Sequence, residues 1–181
     1  MELTTPRLRI DRLRARDAGV LFGYRADPAV ARFQGWRPGS LDEAADFIAD
    51  QAKVSADLPE GWFQRAIRLR QGGELIGDIG ICLPADAEAS IEFGISIAPT
   101  RQQQGYAGEA LQALFTWVFG TLGRHRIHAS VDPRNLASMA MLRSMGMRQE
   151  AHFRESLWFH GEWVDDVVFA MLAQEWSSPD G

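Results

Sequence analysis

The stretch that decides the fold reads Ile95-Ser-Ile-Ala-Pro-Thr-Arg-Gln-Gln-Gln-Gly-Tyr-Ala-Gly-Glu-Ala-Leu111. It predicts a β-branched strand that breaks at Pro99, a loop of glutamine and glycine, and a helix that starts directly after the loop. Several backbone amides and the positive end of the helix dipole meet at such a junction, and Arg101 adds a formal charge. Gly105 and Gly108 let a ligand approach the backbone closely. We therefore predict an anion site, with a phosphate or pyrophosphate as the guest.

The remainder of the chain predicts one large sheet with helices on both faces, an α+β or mixed α/β sandwich. In chain order we expect first a strand at 7–14, whose arginines form a solvated basic face, and then helices from Asp17 and over 41–58. Three antiparallel strands follow at 62–70, 74–83 and 89–98, then the helix of the junction, a strand at 126–131, a helix at 134–145, and two final strands at 147–160 and 163–173. The junction follows antiparallel strands and lacks a Lys-Ser/Thr ending. These features distinguish it from a P-loop and from a Rossmann turn.

Composition limits the domain count and the partners. With 181 residues, 46% of them hydrophobic, the chain is long enough for one core and short for two. We expect a single domain over residues 1–176 and a disordered tail over 177–181. The 24 acidic and 19 basic residues give a net charge of -5 without a basic run, which argues against nucleic acid as a partner.

Cysteine use and hydropathy bear on the compartment. Cys82 is the only cysteine, which rules out an internal disulfide and a multi-cysteine metal site and fits a reducing compartment. No segment approaches the roughly 18 apolar residues that span a bilayer, and the first residues lack the features of a signal peptide. We therefore expect a cytoplasmic protein with no membrane partner.

Several motifs resemble one enzyme family. Gln102-Gln-Gln-Gly105-Tyr-Ala107 resembles the Q/R-x-x-G-x-G/A signature of the GCN5-related N-acetyltransferases, which follows their fourth strand and opens their third helix. Asp132-Pro-Arg-Asn135-Leu-Ala-Ser138, followed by Leu142-Arg-Ser-Met-Gly146-Met147, resembles their second sequence block. Residues 5–13 and 152–167 resemble the branch that acetylates the N-termini of ribosomal proteins, so the resemblance spans nearly the whole chain.

The resemblance implies transfer of an acetyl group from acetyl-CoA to an amine. It also implies a mixed seven-stranded twisted sheet whose fourth and fifth strands splay apart, with pantetheine in the gap. In this sequence it assigns pantetheine to the backbone of Ile95 and Ile97, and Arg101 or Gln102 to a supporting contact. The pyrophosphate is assigned to the amides of Gln103, Gln104, Gly105, Tyr106, Ala107 and Gly108.

The chemistry of the acceptor decides how strong a base is needed. An α-amino group has a pKa near ~8 and a lysine near ~10.4, so neutralising them at about pH 7 costs roughly 1.4 and 4.6 kcal/mol. An amino terminus therefore needs only a modest base or a water wire, whereas a lysine needs a well-placed base. A leaving thiol with a pKa near ~8.5 departs readily, so a weak acid suffices.

Glu92 is the candidate base, acting through water, because it is a lone carboxylate in an apolar strand and Gly94 leaves room beside it. The alternative is a carboxylate at the sheet surface, or one paired with an arginine. Asn135 resembles the family asparagine that binds pantetheine or an active-site water, and its alternative role is a helix cap. Ser138 matches a serine of the ribosomal-protein branch and is the candidate donor to sulfur. Many relatives have a tyrosine acid where this chain has Leu142.

Less specific residues suggest where the acceptor binds. Trp36, in a loop, is the tryptophan most indicative of an acceptor site, together with Glu92. Asp165 and Asp166 either attract a cationic acceptor or form a salt bridge inside the last hairpin. The histidines lack the spacing of a metal site, so we expect no metal.

Two classes of function remain open from the sequence. The first is an N-acetyltransferase, with a protein or peptide N-terminus as the acceptor and a small amine, such as a polyamine or an aminoglycoside, as the competitor. The second is an acetyl-CoA-binding module that has lost catalysis, for which the missing tyrosine is the argument. The aromatic C-terminal hairpin also suggests a homodimer surface.

Overall fold

One mixed sheet organises the computed structural model, which describes residues 1–54, 61–86 and 90–177. Its eight strands within these residues lie in the order β1-β2-β3-β4-β5-β6-β8-β7. Their bounds are β1 Leu3–Thr4, β2 Leu8–Asp11, β3 Gly61–Leu69, β4 Leu75–Leu83, β5 Ile91–Ile97, β6 Arg126–Val131, β7 Arg148–Phe159 and β8 Glu162–Leu172.

Five α-helices accompany the sheet in the described part of the chain: α1 Ala18–Arg25, α2 Pro28–Ala31, α3 Leu41–Lys53, α4 Tyr106–Phe115 and α5 Leu136–Ser144. A π-helical segment, Thr116–Thr121, continues α4. The packing places α4 over a cluster that includes Phe93 and Phe115, whose rings are 5.6 Å apart. A second cluster, including Leu21 and Ile48, joins α1 and α3 to the sheet. The predicted sandwich is confirmed.

Some predicted bounds were wrong. The expected seven strands become eight because Leu3–Thr4 pairs with Ile10 and Arg9 of β2, and two residues are too short for a periodic pattern. The last helix was expected from 134 but begins at Leu136, because Asn135 serves as its N-cap. The expected end of the second helix near 58, the first residue of the strand at 89–98, and tail residues 178–181 lie outside the described residues.

The helix caps follow their sequence signals. Ser40 Oγ accepts a hydrogen bond from the backbone N–H of Glu43 at 3.1 Å, which is the predicted start of α3. The Glu43 carboxylate accepts from the N–H of Gly39 at 2.7 Å, one residue before the position that a capping box prescribes. After α5, Gly146 has φ of 82°, the left-handed conformation expected of a C-cap glycine.

The splay between the two central strands is confirmed. The added β1 makes them β5 and β6 in this structure. They pair in parallel only at Ile91 with Ile127 and at Glu92 with His128. Beyond that point β5 stays bonded to β4 as far as Ile97, while β6 stays bonded to β8. The two strands therefore part after Glu92, and one edge of β5 faces the gap.

A buried ion network ties α1 to the sheet. Arg68 of β3 is 3% exposed, and its guanidinium donates to Asp11 at 2.7 Å and to Asp17 at 2.6 and 2.8 Å. Burial raises the pKa of the Asp17 carboxyl, but hydrogen bonds from Arg68 and from the Arg14 backbone outweigh burial and leave that pKa lowered. Removing the arginine would leave the Asp17 carboxylate buried without its ion-pair partner and would take one of three arginines from Asp11, which also pairs with Arg9 and Arg14.

We predict that Arg68→Ala lowers the free energy of unfolding by about 3–5 kcal/mol, the usual result of breaking a buried ion pair on one side. The matched control is Lys53→Ala, which removes an exposed ion pair with Asp50 and should leave stability close to that of the wild type. Urea denaturation of both variants measures this. Equal stabilities for the two variants would contradict the structural role of Arg68.

Candidate active site

The gap between β5 and β6 opens into a cleft of about 600 Å³. Both strands line it, with the start of α5, the loop after α2 and the β7–β8 hairpin. The predicted site residues that line this cleft are Trp36, Glu92, Ile95, Asn135 and Ser138. The structure thus brings the candidate base, the candidate acid and the candidate acceptor contact into one space.

Glu92 lines this cleft and is the last residue of β5 that pairs with β6. Its side chain is 36% exposed, and its ion-pair partner among the described residues is His128, with 3.9 Å between Oε2 and Nε2, rather than an arginine. The other ring nitrogen of His128 lies 2.9 Å from Ser90 Oγ. A Cβ built at Gly94 would meet no atom within 4 Å, so the space expected beside Glu92 is present.

Asn135 and Ser138 lie at the start of α5. The side-chain oxygen of Asn135 accepts a hydrogen bond from the backbone N–H of Ser138 at 3.1 Å, so Asn135 is a helix cap and also lines the cleft. Ser138 is partly buried in the same wall. One turn further, Leu142 is 1% exposed at the position where many relatives have a tyrosine. An aliphatic side chain there cannot donate a proton.

The glutamine and glycine loop leads from β5 into α4 with two residues at positive φ, Gln103 at 59° and Gly105 at 79°. Gly105 is the N-cap of α4 and has no side chain with which to cap it. Two side chains fix the loop to the backbone before it: Gln102 Nε2 donates to Ile97 O at 2.9 Å, and Gln104 Nε2 donates to Thr100 O at 3.1 Å. A concave loop that ends at a helix N-terminus is a typical anion site.

The remaining residues predicted at the loop have different surroundings. Tyr106, Ala107 and Gly108 form the first turn of α4, whose N–H groups have no acceptor within the helix. Arg101 turns towards the β3–β4 hairpin, where its guanidinium donates to both carboxylate oxygens of Glu74 at 2.7 and 2.8 Å. Ile97 is buried at the end of β5, directly before the loop.

Arg7 is a loop contact that sequence reasoning missed. Its Nη1 donates to the carbonyl of Gln104 at 2.9 Å, and its guanidinium lies 4.6 Å from the ring centroid of Tyr106. In a trans peptide the carbonyl and the next N–H point in opposite directions, and the described chain has no cis peptide. Arg7 therefore turns the N–H of Gly105 away from itself. Strand alternation had assigned Arg7 to a solvated face.

Glu109 holds Arg7 in place from the first turn of α4. Its Oε1 accepts from the backbone N–H of Arg7 at 2.9 Å, and its other oxygen forms a salt bridge with the guanidinium. Burial raises the pKa of the Glu109 carboxyl, but hydrogen bonds from Thr5 and Arg7 outweigh burial and leave that pKa lowered. The segment from Thr5 to Arg7 is thus bound to the first turn of α4.

A second network, also unforeseen, supports the wall that carries Trp36. Asp78 is fully buried and accepts from Tyr24 Oη at 2.5 Å and from Arg25 Nε at 3.1 Å. Arg25 Nη1 donates onward to Gln34 Oε1 at 3.0 Å. Burial alone would lower the pKa of the Arg25 guanidinium, but its interactions with Asp78 outweigh burial and leave that pKa raised. A lone aspartate within the apolar run of β4 was the available sequence signal.

The acidic residues of the last hairpin are paired. Asp165 lies 2.7 Å from His152 Nε2 and accepts from the N–H of Glu155 at 2.9 Å, and Asp166 accepts from Ser130 Oγ at 2.6 Å. The salt-bridge alternative is confirmed for Asp165. Within residues 1–54, 61–86 and 90–177, no group of three His, Cys, Asp or Glu is arranged to hold a metal ion. None of the helices described there is long and apolar enough to cross a membrane.

Comparison with known proteins agrees with this fold and site. Residues 7–148 match the model of the acetyltransferase (GNAT) domain. The chain belongs to the GNAT family, and it is an N-acetyltransferase. It is 30% identical to the N-acetyltransferase YnaD of Bacillus subtilis (strain 168), over 98% of this chain and 100% of the relative.

Two further matches differ in what their names say they act on. The [ribosomal protein uS5]-alanine N-acetyltransferase of Escherichia coli (strain K12) is 32% identical over 98% of this chain and 93% of that protein. The structure of spermidine N-acetyltransferase from Vibrio cholerae, in complex with CoA and spermine, has a TM-score of 0.78 at 20% identity, covering 94% of this chain and 98% of that one. The shared fold therefore does not identify the acceptor.

We predict that the contribution of Glu109 to stability depends on pH. Its folded-state pKa lies below the ordinary value of 4.5, so its stabilising free energy is fully present above that pH and is lost as the pH falls through the folded-state value. The difference in unfolding free energy between wild type and Glu109→Gln should be constant near neutral pH and vanish in acid. Urea denaturation across pH measures it, with Glu2→Gln as the exposed control. A difference that persists in acid would refute the role assigned to the charge.

Proposed function

We propose that this N-acetyltransferase acetylates the amino terminus of a peptide or protein, with acetyl-CoA as the donor. The observation that carries the proposal is the position of Glu92, a half-exposed carboxylate at the point where β5 and β6 part. A carboxylate acting through water suits an α-amine, whose neutralisation at about pH 7 costs roughly 1.4 kcal/mol. The ribosomal-protein relative at 32% identity supports the same acceptor class.

The donor fits the loop and the free edge of β5. GNAT acetyltransferases use acetyl-CoA, which supplies an acetyl group on a thioester. We assign its pyrophosphate to the amides of residues 103–108 and its pantetheine to the backbone of Ile95 and Ile97, which lie beyond the last residues paired with β6. Gln102 fixes the start of the loop through Ile97, and Arg101 remains a proposed supporting contact. Arg7 orients the Gln104–Gly105 peptide for this task.

Proton movements follow from the residues around the cleft. As the amine nitrogen forms its bond to the carbonyl carbon and the carbon–sulfur bond breaks, Glu92 receives the amine proton through water. Ser138 or a water donates to the departing sulfur, and Asn135 orients this end of the cleft from the cap of α5. A backbone amide of β5 polarises the carbonyl. No strong acid is required because a thiolate leaves readily.

Two alternatives have specific support. A small amine is the acceptor named for the spermidine N-acetyltransferase, which has the same fold. A catalytically silent acetyl-CoA-binding module is favoured by Leu142, which replaces the tyrosine acid of many relatives. We propose the cytoplasm as the compartment, since Cys82 is a free thiol.

The acetyltransferase proposal predicts that Glu92→Gln lowers kcat/KM for an N-terminal peptide by about 10²–10⁴-fold, the usual contribution of a general base. The wild-type rate should rise with pH as the amine loses its proton. Thiol release from acetyl-CoA measures both, with Glu150→Gln, an exposed carboxylate outside the cleft, as the matched control. If Glu92→Gln reacted at the wild-type rate, Glu92 would not be the general base. If the wild-type protein bound acetyl-CoA but acetylated no amine, the catalytically silent module would be favoured.

We also propose a homodimer through the β7–β8 hairpin. β7 is the edge strand of the sheet, and Phe153, Trp158 and Trp163 are 51–62% exposed along the hairpin. Light scattering should report twice the chain mass for the wild type and one chain mass for Trp158→Ser/Trp163→Ser. Val20→Ser, another exposed apolar position, is the control and should remain dimeric. A monomeric wild type would exclude the dimer.

A further inference from the structure

We infer that the acceptor carries a single ammonium next to an apolar group, as an N-terminal peptide with an aliphatic or aromatic first residue does, and that polycationic amines are poor acceptors. This inference rests on the proposed function and specifies its substrate. It follows from two features of the cleft: how its charged side chains are already paired, and which side chains form its walls.

Three of the four charged described residues that line the cleft already have close hydrogen-bond or ion-pair partners. They are Arg25 with Asp78, Asp132 with Arg134, and Asp165 with His152. The Asp132 pair is multiple, because Arg134 donates to both carboxylate oxygens and adds its backbone N–H at 2.8 Å. A cation would have to displace a covalently tethered guanidinium to use Asp132.

Glu92, the fourth, is the carboxylate that remains available. The ring nitrogen Nε2 of its neighbour His128 is 3.9 Å away, beyond hydrogen-bond distance, and Glu92 faces the cleft. One available carboxylate matches one ammonium group. A second or third ammonium in the same space would lose its hydration without gaining a partner, which is costly.

The walls around this carboxylate are apolar and aromatic. Trp36 stacks on Phe47 of α3 with ring centroids 4.1 Å apart, and Trp62 at the start of β3 is 52% exposed. Further apolar side chains complete the lining: Phe33, Phe63, Phe93, Leu157, Phe159 and Val164. Such walls stabilise an apolar substituent by removing its surface from water.

Arg25 gives the aromatic wall a fixed position and a fixed charge. Its guanidinium lies 5.9 Å from the Trp36 ring, and its bond to Gln34 holds the loop that carries Trp36. The guanidinium beside this ring is already paired with Asp78, so the aromatic wall offers no carboxylate to a second cation of a polyamine. Arg25 thus acts as a positioning residue for acceptor selection.

The test compares acceptors of defined charge. Binding to the CoA-loaded protein is measured by calorimetry, and acetylation by thiol release, for a peptide that begins with phenylalanine, a peptide that begins with glycine, phenethylamine and spermidine. We expect the phenylalanyl peptide and phenethylamine to bind at least about tenfold more tightly than spermidine, the value of roughly two buried methylene groups. Tighter binding of spermidine would overturn the inference.

Variants distinguish the apolar lining of the cleft, which affects KM, from the catalytic residues, which affect kcat. Trp36→Ala should raise KM for the phenylalanyl peptide about tenfold at little cost in kcat, and should leave KM for the glycyl peptide nearly unchanged. Trp163→Ala, an exposed tryptophan outside the cleft lining, is the matched control. An equal loss for both peptides would overturn the specificity role. Because binding is measured without turnover, an inactive enzyme that still prefers single-charge apolar amines would refute the proposed function and leave the preference standing.

Discussion

β5 and β6 share only two register pairs, Ile91 with Ile127 and Glu92 with His128, and the structure depends on where that short ladder ends. Backbone N–H and C=O groups inside a protein need partners, and a strand edge that faces a gap offers a row of them. The same parting creates the cleft and sets Glu92 at its inner end. The proposed donor site and the proposed base are therefore both consequences of one interruption in the sheet.

Two ion networks, one half-buried and one buried, support the two sides of this site. Arg7 and Glu109 connect the segment before β2 to the first turn of α4 and fix one peptide of the loop. Arg25 and Asp78 connect α1 to β4 and support the aromatic wall. The first network contacts the loop proposed to bind the donor, and the second supports the wall proposed to bind the acceptor. Donor binding and acceptor choice consequently rest on different parts of the chain.

Local signals predicted most of the fold. The strand that ends at Pro99, the glycine that opens α4 and the C-cap glycine after α5 each follow from rules that span a few residues. Glu92 was predicted as a lone carboxylate in an apolar strand, and Asn135 and Ser138 were predicted from the family resemblance. The structure places all three in the lining of one cleft.

Neither ion network was predicted from the sequence, and the reason is physical. Arg7 meets the Gln104 carbonyl across 97 positions of sequence, and Arg25 meets Asp78 across 53. Periodicity records which face of a strand or helix is buried, but it carries no information about partners so far apart in the chain. The alternating pattern therefore predicted Arg7 to be an exposed arginine. Its contact with the loop follows only from the packing of β2 beside α4.

The central claim is that the loop between β5 and α4 binds the pyrophosphate of acetyl-CoA. Calorimetric titration of acetyl-CoA into Gly105→Glu tests it most directly. Gly72→Glu is the matched control, since Gly72 also has positive φ, 82° against 79°, but lies in the β3–β4 turn. Binding should be weaker by at least about tenfold in Gly105→Glu, because the substitution adds a carboxylate at the helix N-terminus, where a Cβ would lie 3.3 Å from Arg7 Nη2, and it should be unchanged in Gly72→Glu. Unchanged affinity in a folded Gly105→Glu protein would contradict the claim.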